Sequence, residues 1–143
     1  MVNFVTDPSL RSQLMSTIKS KNTKPETTVN VELRKRGLHF QTHYDRAPGT
    51  PDIARPRKKL AVFVDGDFWH GRHIERVISK HGHDSAWAAK LRRTMARDSE
   101  QNEALIASGW RVFRVWESDV MRVSTRTATI DEIEAFLRSR DLQ

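Results

Sequence analysis

The run TPDIARPRKKLAVFVDGDFWHGRHIER, residues 50–76, crowds three aspartates and two histidines around a Phe-Trp pair. Hydrolysis of a phosphodiester needs a cation to neutralise charge developing on the phosphate, a base to activate water and help for the departing oxygen. Asp52 and Asp65 stand at the ends of neighbouring predicted strands, and pairing of those strands would bring together two hard oxygen ligands of the kind Mg²⁺ takes. Glu26, near the start of a predicted helix, adds a third carboxylate. His70, five residues beyond Asp65, is of the side-chain type best suited to accept a proton near neutral pH. Spacing alone leaves a second reading open, because Asp52 follows Pro51 and Asp65 precedes Gly66, positions that also suit turn residues.

Phe68 and Trp69 raise a separate question. Adjacent residues on a strand point to opposite faces, so a single core face would receive only one of the two rings. On a loop both can project outward and wedge between base steps, unstacking and kinking a duplex, which costs less at a mismatch. Capping of the core by either ring stays open as the alternative. Trp87, Trp110 and Trp116 are expected in the core or at its margin. His73, His81 and His83 have poor spacing for a shared metal and are expected on a solvated loop.

The 25 Lys and Arg residues against 18 Asp and Glu give a net charge of +7 and a pI near 10.2, a balance that favours a polyanionic partner, nucleic acid first. Lys19, Lys21, Arg57 and Lys58 are candidate phosphate contacts within a wider basic set that includes Lys24, Lys35 and Arg36. With no cysteine, disulfides and thiolate metal sites are excluded. No apolar run has the length of a signal-peptide core or a membrane span, so a cytoplasmic, nucleoid-associated protein without membrane contact is expected.

Several elements must position these groups. The 143 residues suit one domain, expected as an N-terminal helical segment over 1–22 and a catalytic core over 23–143. Leu10, Leu14 and Ile18 form one helical stripe beginning near Pro8. Thr23 as N-cap, Pro25 in the first turn and Gly37 as the stop predict a second helix. HFQTHY, residues 52–55 and LAVFVD read as strands, the last two joined by the basic turn RPRKK. A linker-like segment over 73–84 follows. A long helix then runs over 85–109, with Trp87, Leu91, Met95 and Leu105 on its inward face, before the strand WRVFRVW and a last helix over ATIDEIEAFLRSR.

The stretches MSTIKSKNTKPE, GTPDIARPRKKLAVFVDGDFWHG and KLRRTMARDSEQNEALIASGWRVFRVWE resemble, in order and spacing, the bacterial very-short-patch-repair (Vsr) endonucleases. The resemblance implies an α/β, restriction-endonuclease-like PD-(D/E)xK core with a central mixed sheet flanked by helices. It also implies nicking of DNA beside a T:G mismatch left by deamination of 5-methylcytosine. By position, Asp52 matches the central metal-binding aspartate, Glu26 the helix glutamate and His70 the histidine that activates water. Asp98 matches a supporting aspartate on the long helix. Asp65 falls where a well-known member has histidine, and its carboxylate suits a metal-bound water. Phe68 and Trp69 match the intercalating aromatics, and Met15 a methionine inserted from the other groove.

Departures from the pattern carry their own expectations. Zinc-bearing members have cysteines around FWH and on the last strand, where this chain has Asp67, Arg72 and other non-thiol residues. No structural zinc is expected, and an Asp67–Arg72 ion pair is expected to brace the loop instead. Thr94 replaces the asparagine usual near the helix aspartate. The resemblance and the residues together imply a Mg²⁺-dependent nicking endonuclease in which Asp52 holds the ion and Glu26 and Asp65 act through water, and the family's nicking of one strand implies a monomer. Mismatch-repair factors and a cytosine-methyltransferase pathway are its implied partners. A restriction or defence nuclease with another DNA target, and a non-catalytic module that binds distorted DNA, are the alternatives.

Overall fold

The computed structural model describes residues 23–68 and 70–139. The expected helix near Leu10–Ile18, with Met15, Lys19 and Lys21, lies outside the described residues, as does Trp69.

Thr23 opens α1 (Lys24–Lys35) with a reciprocal capping box: its hydroxyl accepts from the Glu26 N–H, and the Glu26 carboxylate accepts from the Thr23 N–H. Pro25 occupies the first turn, where its missing N–H has no intrahelical acceptor to lose, and Gly37 ends the helix at φ +82°. The box therefore holds Glu26 at a fixed point of the helix entry.

The sheet runs in the order β1 (Gln41–Thr42), β2 (Ile53–Arg55), β3 (Leu60–Asp65), β4 (Arg111–Trp116). The first two pairings are antiparallel and β3–β4 is parallel, so the sheet is mixed. β1 is shorter than HFQTHY suggested, because His43 swings to φ +48° and breaks the extended run. RPRKK makes the expected turn, closed by the Lys58 N–H donating to the Arg55 carbonyl.

Parallel pairing of β3 with β4 requires a crossover, supplied by α2 (Ile74–His81) and α3 (Ala86–Ala107). α2 corrects the linker and loop expected over 73–84. His- and Gly-rich flanks disguise it, and Val77 is its one buried residue. After β4 the chain forms α4 (Glu117–Met121), a short helix with no sequence expectation, and α5 (Val123–Arg138), which begins five residues earlier than its apolar periodicity indicated.

Alternation along β3 divides the core. Leu60, Val62 and Val64 pack with Val29 and Leu33 of α1 and Ile130, Ile133 and Leu137 of α5. Ala61 and Phe63 face the other way, onto Leu105 of α3. By the same period Asp65 is delivered to the α3 side, at the end of a strand buried along its whole length. Leu91 and Leu105 of α3 are buried, but Trp87 and Met95 are 46% and 40% exposed, correcting the predicted inward face. The reason is local: this part of α3 is covered by the loop after β3 rather than by the sheet. Phe68 meets Trp87, and Met95 lies so close to Gly71 that a Cβ there would overlap its side chain. Gly71, at φ +77°, thus suits both the turn and the close approach.

Candidate active site

The chemistry-bearing residues gather where β2 begins and β3 ends, as the antiparallel register demands. Instead of one cluster they form two. Glu26, His43 and Asp52 place one donor atom each within 4.8 Å of one another, and Asp65, His70 and Asp98 do the same.

In the first cluster, Asp52 Oδ2 accepts from the Val64 backbone N–H at 2.7 Å, which ties the start of β2 to the end of β3. Glu26 is 6% exposed; its Oε2 accepts from the Thr23 hydroxyl at 2.8 Å, while Oε1 is buried with no hydrogen bond and lies 3.5 Å from His43 Nε2. Burial pushes Asp52 up to about 7; the Val64 N–H counteracts part of this, and the nearby Glu26 and Asp65 charges add to it. Two carboxylates crowded in a site with an unsatisfied oxygen fit a divalent cation, which would relieve both the repulsion and the orphaned lone pair.

The second cluster is organised around His70. Its Nδ1 lies 2.5 Å from Asp98 Oδ2 on α3 and 3.8 Å from Asp65 Oδ1. Burial alone would lower the imidazole pKa, but the Asp98 hydrogen bond and the Asp65 charge outweigh it, and the net shift is upward. With Nδ1 committed to Asp98, the ring can offer Nε2 to a water. Arg114 of β4 approaches Asp65 Oδ1 at 3.0 Å and Asp98 at 3.7 Å. Burial raises Asp65 above the usual carboxylate range, opposed by His70 and Arg114.

Sequence reasoning missed His43 and Arg114. His43 sits in a run without a motif, and its turn out of β1 brings it beside Asp52. Arg114 carried a readable signal: in WRVFRVW it pairs with Phe63 across the parallel strands, on the face that also receives Asp65. The parallel register had to be known first.

Around the site, the loop after β3 exposes Phe68 (42%), whose ring meets Trp87 edge-on at 5.6 Å. Trp87 thus joins the exposed aromatics beside the site instead of the core. Arg72 lies 3.0 Å from Asp67 and 3.3 Å from Asp119, and the backbone N–H of Ser118 donates to Asp67 at 3.0 Å. Burial would raise Asp67, but the bonds from Ser118 and Arg72 dominate and lower it. The Arg72 guanidinium also covers the Trp116 ring. These contacts clamp the loop to α4. Thr94 turns its hydroxyl onto the Lys90 carbonyl of its own helix. Arg57 and Lys58, expected near the site, ride on the β2–β3 turn at the opposite end of those strands, where Lys58 Nζ donates to the Leu137 carbonyl.

A mixed sheet flanked by helices, with carboxylates and two histidines gathered at its β2–β3 end, has the architecture of a restriction-endonuclease-like nuclease. The family described as DNA mismatch endonuclease Vsr matches residues 4–76. The chain is 36% identical over 126 residues to the type II nicking enzyme V.XorIIP of Xanthomonas oryzae, covering 88% of this chain and 93% of that protein. It is 38% identical over 119 residues to V.NmeDIP of Neisseria meningitidis, also a type II nicking enzyme, covering 82% and 80%. To the DNA mismatch endonuclease Vsr of Escherichia coli it is 30% identical over 113 residues, covering 79% and 72%. The chain belongs to the Vsr family of DNA endonucleases.

Among the described residues no helix is long and apolar enough to cross a membrane.

Proposed function

We propose that this nicking endonuclease cuts one strand of duplex DNA beside a T:G mismatch, using Mg²⁺ held by Asp52, and leaves a 5′-phosphate and a 3′-hydroxyl. The observation that carries the reading is the His70–Asp98 contact beside the Glu26 and Asp52 carboxylates: a proton acceptor with a fixed ring stands next to groups fit to hold a cation. Asp52 and Glu26 would hold the Mg²⁺, which would supply positive charge to the phosphate and acidity to the attacking water.

The protein's own residues then divide the work. His70 takes the water's proton at Nε2. Asp98 holds the ring through Nδ1 and stabilises the imidazolium that results. Asp65 faces the same imidazole and would act on the cation through water, while Arg114 balances the charge of Asp65 and Asp98. Phe68, Trp69 and Trp87 form the wedge that enters the distorted duplex, with Met15 entering from the other side and Lys19 and Lys21 meeting phosphates. In this reading the chain acts as a monomeric single domain of 1–143, in company with mismatch-repair factors and a cytosine methyltransferase.

A strand-resolved cleavage assay tests it, comparing one labelled duplex with T:G, T:A or C:G at the same position, in Mg²⁺ and in EDTA. Nicking confined to the T strand of the T:G duplex and abolished by EDTA is the expected result. Equal cutting of all three would move the target to undamaged DNA, and retained binding without cutting in any divalent ion would leave only a DNA-binding module.

A further inference from the structure

We propose that His43 is a nitrogen ligand that completes a three-residue cation site with Glu26 and Asp52, and that this donor set takes Mn²⁺ in preference to Mg²⁺. The inference rests on the reading that Asp52 and Glu26 hold the catalytic cation.

The three residues come from three different segments: the first turn of α1, the residue after β1 and the residue before β2. Their donor atoms lie within 4.8 Å of one another, a little more than twice the ~2.1 Å bond of a small divalent ion. The register fixes His43 there. Thr42 pairs with Ile53, and the His43 N–H donates to the Asp52 carbonyl at 3.1 Å, so the two residues are opposed across the β1–β2 ladder. His43 holds a left-handed φ of +48°, which a residue with a Cβ adopts reluctantly. That conformation presents its Nε2 to Glu26 Oε1 at 3.5 Å.

Glu26 supplies the independent sign of a ligand. Its Oε2 is taken by Thr23, but Oε1 is buried and accepts no hydrogen bond. A buried carboxylate oxygen left without a donor is costly, and a cation between Oε1, the Asp52 carboxylate and the His43 nitrogen satisfies it. The site's other imidazole, His70, already has its Nδ1 on Asp98.

The donor set decides the ion. Mg²⁺ demands oxygen ligands in near-ideal octahedral geometry and keeps several waters, whereas imidazole nitrogen suits transition-metal ions. Mn²⁺ combines the two tendencies: it is an oxygen-seeking ion that belongs to the first-row series. Two carboxylates plus one imidazole therefore favour it over Mg²⁺.

Electron paramagnetic resonance of Mn²⁺ titrated into the full-length protein gives a test that does not depend on cleavage. Mn²⁺ should bind more tightly than Mg²⁺ measured by competition, and equal or weaker binding overturns the preference. Pulsed spectra of bound Mn²⁺ should show ¹⁴N coupling from imidazole. His43→Gln, checked for native circular dichroism, should lose the ¹⁴N coupling, and His70→Gln should keep it. Bound Mn²⁺ without ¹⁴N coupling, or coupling that survives His43→Gln, overturns the assignment. If in that case Asp52→Asn still abolishes Mn²⁺ binding, the Asp52 and Glu26 reading stands without His43. Binding that ignores Asp52→Asn overturns both.

Discussion

Arg114 Nη1 lies 3.0 Å from Asp65 Oδ1, and the two residues reach each other from the parallel strands β4 and β3. The guanidinium is further fixed by its Nε donating to Asn102 Oδ1 at 2.9 Å and by lying 4.0 Å from the centroid of the Phe63 ring. The pair is largely removed from solvent. Removing one member of such a pair leaves the other charge buried and uncompensated. Arg114→Met should therefore destabilise the fold by about 3–5 kcal/mol in urea unfolding, and adding Asp65→Asn to that variant should recover part of the loss. A cost under about 1 kcal/mol would put the pair among ordinary solvent-screened ion pairs.

Asp98 should control the proton affinity of His70. Its hydrogen bond and charge help hold the imidazole above its ordinary range against the opposing effect of burial. A general base works in its neutral form, so the nicking rate should rise with pH through the His70 pKa. Asp98→Asn removes the charge that favours the imidazolium. The acidic limb of the pH–rate profile should then move to lower pH, with a rate loss of about 10²-fold or more at its plateau. A rate loss with an unmoved limb would assign the titrating base to another group.

Asp52 should weaken the metal-free fold as pH rises. Its carboxyl titrates near 3.8 in an unfolded chain and is pushed up to about 7 in the folded protein. Below pH ~3.8 both states hold the proton and Asp52 carries no penalty; as pH rises through about 7 the folded state has to ionise a buried group. The full shift corresponds to at most about 4 kcal/mol, and relaxation of the site reduces it. Asp52→Asn should gain stability over the wild-type protein progressively between pH 4 and 7 in EDTA while losing nicking. A stability difference independent of pH would mean that Asp52 titrates normally.

Much of this site was legible because it rests on local rules. Thr23, Pro25 and Glu26 together announce a helix start, and the same capping box both begins α1 and orients the glutamate. The turn after Arg55 joins two readable strands, which brings Asp52 to the end of β3 that carries Asp65. What stayed hidden depends on tertiary register. Arg114 belongs to the site only because β4 lies parallel to β3, and His43 only because its backbone leaves the strand in a left-handed turn. Trp87 fits an apolar helical stripe, yet that stripe passes beyond the sheet and meets Phe68 instead. The helix over Ile74–His81 buries only Val77, so periodicity had almost nothing to register.

The aromatic pair offers a separation of fold from function. Phe68 and Trp87 are both more than two-fifths exposed and touch each other edge to face, so truncating either costs little burial. Phe68→Ala and Trp87→Ala should each change unfolding stability by about 1 kcal/mol or less. Stacking of an aromatic on a base contributes about 1–3 kcal/mol, so each variant should bind the T:G duplex roughly 5- to 150-fold more weakly. The loss should be smaller on fully paired duplex, where opening a base step is costlier. Lys21→Ala provides the contrast: the phosphate contact proposed for it carries no base information, so its loss should weaken all duplexes alike, with a shallower salt dependence. Fluorescence anisotropy on matched and mismatched duplexes at several salt concentrations separates the two patterns. If Trp87→Ala weakens both duplexes equally, the ring supports the loop and does not read the distortion.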